Sequence, residues 1–243
     1  MDGLADEIER RLRAIGTPTR AEGEKAYLKS DLEFVGATVW QTRAAVRAVL
    51  AEHPIDVHAD VVALAEALWL KPIHERRAAA CIVLDERVDR LSAADLPFLE
   101  RLLRESRTWA LVDELAGDVV ARLLVSEPAG VGPTLDRWAT DPDFWIRRSA
   151  LLAHLRRIRA GEELGSFARY ADAMLDEREF FIRKAIGWVL REAGKRRPAE
   201  VVGWLEPRTH RASGVTMREA VKYLPRPDAD RLMAAYRAKV PAI

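Results

Sequence analysis

Apolar positions recur along the chain with the three-to-four-residue spacing of helices. Leu4, Ile8, Leu12 and Ile15 predict a first helix that Gly16-Thr17-Pro18 stops. A second covers Glu22 to Leu28, with Tyr27 part-buried and its hydroxyl at the surface. Gly36-Ala37-Thr38 offers an amino-terminal cap to a helix over Trp40 to Leu50, whose first N–H groups could meet a phosphate. Val57 to Leu70 and Ile73 to Leu84 form a pair turned by Lys71-Pro72, and Leu91 to Arg104 follows. Ser106 or Thr108 then caps a helix whose buried side runs through Leu111, Leu115, Val119 and Arg122/Leu123, leaving Trp109, Asp113 and Ala116 off it. The helix near Trp145 is apolar on two sides, Ile146/Ala150/Ala153 and Leu151/Leu155/Ile158, so it should be sandwiched, with Arg148, Arg156 and Arg159 along a stripe between them. In the clearest helix, Ile182, Ala185, Ile186, Val189 and Leu190 share one face. Lys184, Trp188, Arg191 and Lys195 share the opposite one.

These helices repeat. Phe144-Trp145-Ile146-Arg147-Arg148 aligns with Phe180-Phe181-Ile182-Arg183-Lys184 at an offset of 36, and Val215-Thr216-Met217-Arg218 follows at 35. Ile73-His74-Glu75-Arg76-Arg77 precedes by 71, and Thr42-Arg43-Ala44-Ala45 is a fainter copy. Arginine therefore recurs at positions 43, 76, 147, 183 and 218, with one gap about two periods wide. The missing copy falls on Thr108 to Glu114, where Leu111-Val112 replaces the basic pair and Asp113 the small residue. Paired helices at this period predict an all-α chain, an α-solenoid of HEAT-like helical repeats forming one continuous domain over residues 1–243. Single units of that kind bury their apolar faces only by stacking.

Composition agrees with a packed chain: hydrophobic residues are 49% and charged residues 32%. A single cysteine, Cys81, lies inside the apolar run Ala78 to Leu84 and reads as a small buried hydrophobe. No stretch approaches the ~20 apolar residues of a membrane span, and the first residues do not resemble a signal peptide, so a cytoplasmic setting is expected. Net charge is only +1 but unevenly spread: residues 1–100 carry 13 basic and 18 acidic side chains, and residues 201–243 carry 8 and 4. That gradient is compatible with a basic face on part of the stack.

Familiar enzyme motifs are missing. His74-Glu75 lacks the second histidine of a zinc-type His-Glu-x-x-His, since Ala78 stands there, and neither a Gly-rich phosphate loop nor a nucleophile elbow is present. Asp113 has Trp109, Ala110, Ala116 and Gly117 as its helical neighbours, so no local lysine or arginine meets it. Two readings stand: a carboxylate placed by the helix dipole beside a packing tryptophan, or a carboxylate beside an aromatic wall that stabilises positive charge. Trp188 among cations is open in the same way, to burial or to contact with a nucleic-acid backbone and sugar.

The motifs together resemble a known family. Tyr27-Leu28-Lys29, Gly36 with Thr38 and Arg43, Trp109-x-x-x-Asp113, Phe144-Trp145-Ile146-Arg147-Arg148 and the long run Phe180 to Glu192 look like the DNA alkylation repair family of HEAT-like repeat DNA glycosylases. The resemblance implies a single curved domain whose concave, basic face holds duplex DNA. It also implies excision of cationic N3- and N7-alkylated purines by N-glycosidic hydrolysis, without the base extrusion most glycosylases use. Carried over by position, Asp113 would be the catalytic carboxylate, Trp109 and Trp188 would pack on the lesion's deoxyribose, and Arg148 would hold the nearby phosphate. Tyr27, Thr38, Arg43, Lys184 and Arg191 would join it in facing DNA. The expected partner is duplex DNA with alkylated purines, bound by a monomer without metal, cofactor or membrane. A duplex-binding relative without activity and a protein-interaction scaffold are the alternatives. One departure is Ala110, where many relatives carry an acidic residue.

Overall fold

The computed structural model describes residues 1–238, and among these the fold is all-α, of the α-solenoid type. The nearest approach to a sheet is an isolated parallel bridge between Glu33 and Ile73. The described chain forms two compact units, Met1–Leu123 and the residues from Leu124 onward.

In the first unit, α1 (Asp2–Ile15) buries Ala5, Ile8 and Leu12, the face that the spacing predicts. Gly16 ends it because a Cβ there would sit 2.0 Å from the Val35 carbonyl oxygen. The next helix, α2 (Pro18–Leu28), begins four residues before the expected Glu22. Pro18 occupies its first turn, where a missing N–H breaks no hydrogen bond, so the last residue of the expected stop opens the next helix. The loop that follows is pinned from below. Glu75, 2% exposed, accepts hydrogen bonds from the Val35 N–H at 3.0 Å and the Gly36 N–H at 2.6 Å, and Gly36 takes φ +79°, where a side chain would be strained. This sets Thr38 as the cap of α3 (Val39–Glu52), in a capping box with Gln41.

The pair α4 (His58–Trp69) and α5 (His74–Glu86) lies where the pattern puts it. Helix α5 is buried from His74 through Arg76 and from Ala78 through Leu84, including Cys81. The guanidinium of Arg76 is 3% exposed and saturated: it donates to Asp6 and Glu9 on α1 and to the carbonyls of Ala67 and Leu68. Burial alone would raise Glu9, but hydrogen bonds from Lys71, Arg13 and Arg76 bring it down to about 2. Helix α6 (Leu96–Ser106) starts later than Leu91, because Ser92 and Asp95 form a capping box around a short 3-10 turn ahead of it. Beyond it come α7 (Trp109–Glu114), a π-helical segment over Leu115–Val120, and α8 (Ala121–Ser126).

The second unit contains α9 (Pro128–Trp138), α10 (Phe144–Leu152), α11 (Leu155–Ala160), α12 (Gly165–Ala173), α13 (Phe180–Gly194), α14 (Pro198–Leu205), α15 (Gly214–Ala220) and α16 (Arg226–Arg237). Here the repeat has a visible cause. Asp143 caps α10 through the Trp145 N–H and Glu179 caps α13 through the Phe181 N–H. Arg147 donates to the carbonyl of Asp141 at 2.6 Å and Arg183 to that of Glu177 at 2.6 Å, each six residues back. In these two copies the recurring arginine is therefore a hook that folds the connecting loop onto its own helix. Phe181 packs against Trp145 and Phe144, with centroids 4.7 and 6.2 Å away, so the paired aromatic motifs stack one repeat on the next.

All six positions that sandwich α10 and α11 are buried, but the stripe expected between them is not one edge. The helix breaks after Leu152, so Arg148 is 3% exposed whereas Arg156 and Arg159 face solvent. At Gly187 the backbones of α13 and α15 nearly touch. A Cβ there would lie 2.7 Å from the Cβ of Glu219 and 2.9 Å from the Thr216 carbonyl oxygen. Gly187→Ala is therefore expected to destabilise the protein by about 1–3 kcal/mol, the ordinary effect of overpacking. Chemical denaturation measures this, and an unchanged midpoint would show that the two helices separate freely.

Candidate functional site

Thr108 caps α7 with its backbone alone, and its buried hydroxyl has no hydrogen-bond partner. One residue later Trp109 begins the helix, and Asp113 stands one turn beyond, so the two side chains share a face as their spacing predicts. Both are half-buried. Directly after Glu114 the backbone widens into the π-helical segment, a rare geometry that takes an extra residue into the turn and is frequent at functional sites. Ala116, placed off the core by α-helical periodicity, is fully buried, because the segment Leu115–Val120 is enclosed on nearly every side and only Asp118 in it is part-exposed.

Tyr27 meets Trp109 edge-to-face, with ring centroids 6.0 Å apart and planes at 89°. It is 73% exposed rather than part-buried, because α2 contributes no buried residue at all and Tyr27 rests only on the rim of the first unit. Tyr27, Trp109 and Asp113 thus come from two elements with one aromatic contact joining them. Thr38 has its hydroxyl engaged in the capping box of α3, accepting from the Gln41 N–H at 3.1 Å. Arg43 reaches inward: its guanidinium donates to Asp85 at 3.1 Å, Glu86 at 3.4 Å and Glu114 at 3.1 Å. Its charge is met by Asp85 and Glu86, Glu114 accepts a third hydrogen bond, and it braces α3 against α5 and α7.

Four of the candidates lie in the second unit. Arg148 donates to the Phe181 carbonyl at 2.5 Å with its guanidinium 5.8 Å from that ring's centroid, so it is a buried link from α10 to α13. Lys184, at 2.5 Å, and Arg191 both grip the Glu219 carboxylate on α15. Trp188 is half-buried between them on α13, with Arg159 over its ring at 6.0 Å. The cations that the sequence lines up around Trp188 are thus largely neutralised by Glu219 and, for Lys195, by Glu192 at 2.8 Å.

The family model for the DNA alkylation repair enzymes matches residues 8–224 of this chain. The chain belongs to that family. As a DNA alkylation repair protein it also shares its fold with a solved structure described as a "predicted DNA alkylation repair enzyme" from Enterococcus faecalis. The TM-score is 0.77 at 23% identity, over 87% of this chain and 97% of that one. No curated protein matches the chain. Its family role makes DNA the substrate and alkylation damage the occasion. Among the described residues no helix is long and apolar enough to cross a membrane, and no three His, Cys, Asp or Glu side chains are placed to hold a metal ion.

Sequence reasoning passed over Glu114. Burial pushes this carboxyl up to about 8 against the pull of Arg43, with the negative charges of Asp118 and Asp85 adding to the rise. At neutral pH it therefore carries a proton beside the candidate Asp113. The available signal was its distance from Arg43, 71 residues, which is the same two-period spacing as that between the repeat copies. A carboxyl whose folded pKa exceeds its unfolded value binds more protons when folded, so the stability it confers is full below about 4.5 and declines as pH rises toward about 8. Glu114→Gln keeps the neutral shape and removes the titration. The variant is expected to melt with a flatter dependence on pH between 5 and 8, with its advantage over the wild type greatest at the alkaline end. A calorimetric pH series checks this, and parallel curves for the two proteins would show that Glu114 is ionised in the fold.

Proposed function

We propose that this DNA alkylation repair protein is a monofunctional DNA glycosylase that releases cationic N3- and N7-alkylated purines from duplex DNA. The observation that carries the proposal is the half-buried Asp113 one helical turn from Trp109, with Tyr27 edge-on to that ring. An alkylated purine already bears a positive charge and leaves readily once the glycosidic bond stretches. The electron pair of that bond departs with the base, and positive charge develops on the deoxyribose. A carboxylate fixed beside that sugar stabilises the charge and orients the incoming water, and aromatic faces hold the sugar without solvating it. Neither a general acid nor a metal is needed.

In this proposal Asp113 is the catalytic carboxylate and Trp109 contacts the deoxyribose, and Trp188 on α13 is an aromatic face for DNA. Arg148 enters through the Phe181 carbonyl that it holds, since its burial leaves a phosphate little access. Arg43, Lys184 and Arg191 act as braces, each already holding carboxylates. Glu114 keeps the adjacent position neutral at physiological pH, so that Asp113 does not share its helix turn with a second negative charge.

The direct test is release of 7-methylguanine and 3-methyladenine from methylated duplex DNA. The wild type should release both, and Asp113→Asn should lower the single-turnover rate by roughly 10²–10³-fold, the range set by loss of one preorganised electrostatic group. Binding of undamaged duplex should survive in the variant. A wild type that binds duplex in a salt-sensitive manner but releases no methylated base would sink the proposal.

A further inference from the structure

A cavity of about 480 Å³ opens in the first unit. Lys29, two residues past Tyr27, and Arg107, two residues before Trp109, both line it, together with Arg77 and Arg104. Asp31 and Glu105 are the acidic residues in its wall. Two features set it apart from the rest of the surface. First, Lys29 and Arg107 are the two non-glycine residues with positive φ among the described residues, at +49° and +47°. Each ends a helix, α2 or α6, at a position that glycine commonly fills, yet the chain carries long cations there. Second, Arg77 has its Nε buried without a hydrogen-bond partner, while its Nη1 donates to the Glu105 carbonyl at 3.0 Å and its guanidinium lies 5.0 Å from the Trp69 centroid. Burial lowers the pKa of Arg77, the negative charge of Glu105 opposes this, and the positive charge of Arg107 adds a smaller lowering.

The ion pairs around the cavity cancel without covering these groups. Arg104 pairs with Glu100, and Glu105 is held by Arg101 and by the indole N–H of Trp69 at 2.8 Å. Among the described residues no carboxylate lies within ion-pairing distance of Lys29, Arg77 or Arg107. Helix dipoles favour cations at helix ends, which accounts for part of the arrangement, but each end supplies only about half a negative charge. Four lining cations against two lining carboxylates and two such ends leave about one net positive charge. That is the complement of one phosphodiester.

We propose that the cavity formed by Lys29, Arg77, Arg104 and Arg107 is a phosphate-binding site that takes one backbone phosphate of the DNA strand. Arginine suits this ligand because its planar N–H donors match two phosphate oxygens. The phosphate chemistry follows from the cavity itself, and its source in DNA rests on the proposed function.

Lys29→Gln and Arg107→Gln are the variants of choice, because they keep an unbranched polar side chain while removing charge. Duplex affinity is measured for each as a function of salt, with Arg226→Gln, a fully solvated position, as the charge-matched control. Thermal melts with and without inorganic phosphate form a second arm. A salt slope that falls by about 0.9 in each cavity variant and holds in the control assigns the site to a DNA phosphate. An unchanged slope, with phosphate raising the melting temperature of the wild type but not of the variants, assigns it to a small phosphate ester instead. No change in either arm, or an equal slope loss in Arg226→Gln, overturns the site. If a Gln variant melts early, Lys29→Gly and Arg107→Gly repeat the test, since glycine adopts the left-handed conformation freely. Methyl-base release by the wild type is scored separately, so an inactive protein whose slope still falls leaves the site standing and removes only the glycosylase.

Discussion

The structure depends on registering one repeat against the next, because an isolated helix pair of this kind has no other way to bury its apolar face. Hydrophobic contact supplies the drive but little direction. Direction comes from polar links between residues about one period apart: Trp69 with Glu105 and Arg208 with Asp172 at 36, Arg122 with Asp85 at 37, Lys184 with Glu219 and Arg211 with Asp176 at 35. Most of these pairs are part-exposed, so each adds little stability, about 0–1 kcal/mol. Their shared spacing sets which turn of one repeat faces which turn of the next. Closest packing then follows where glycine permits it, as at Gly187.

This clamping explains how a DNA-acting chain carries a net charge of only +1. Many of its 39 cations and 38 anions are paired with each other, within helices and between repeats. Arg43, Arg147, Lys184, Arg191 and Arg211 all hold carboxylates of another helix or of a loop. The cations that remain without such a partner have more weight for recognition than their number suggests. In the first unit Lys29, Arg77 and Arg107 share one cavity.

Much of the fold was legible because it is periodic. The burial of α5, α10 and α13 follows from apolar spacing, and the copy that lacks its basic pair drew notice to Trp109 and Asp113 before any geometry. What stayed hidden is what periodicity averages away. A helix enclosed on nearly every side has no single apolar face, so spacing leaves Ala116 off a core that in fact surrounds it. The break after Leu152 separated Arg148 from Arg156 and Arg159, and an exposed Tyr27 cannot be told from a buried one when its helix has no core face. The roles of charges were hidden for a different reason. An arginine that hooks its own loop and an arginine that awaits phosphate look the same in sequence, and only the distance to a carbonyl or carboxylate separates them.

The chemistry proposed for Asp113 makes a demand that other glycosylase mechanisms do not. With a carboxylate to stabilise the sugar cation and no acid to protonate the leaving base, the enzyme relies on the charge that the lesion already carries. The most direct test compares, in the same duplex and under single-turnover conditions, release of cationic 7-methylguanine with release of neutral hypoxanthine. The account predicts release of the cationic base and only background loss of the neutral one. Comparable release of hypoxanthine would contradict it, because a neutral purine leaves at that rate only when the enzyme supplies a proton.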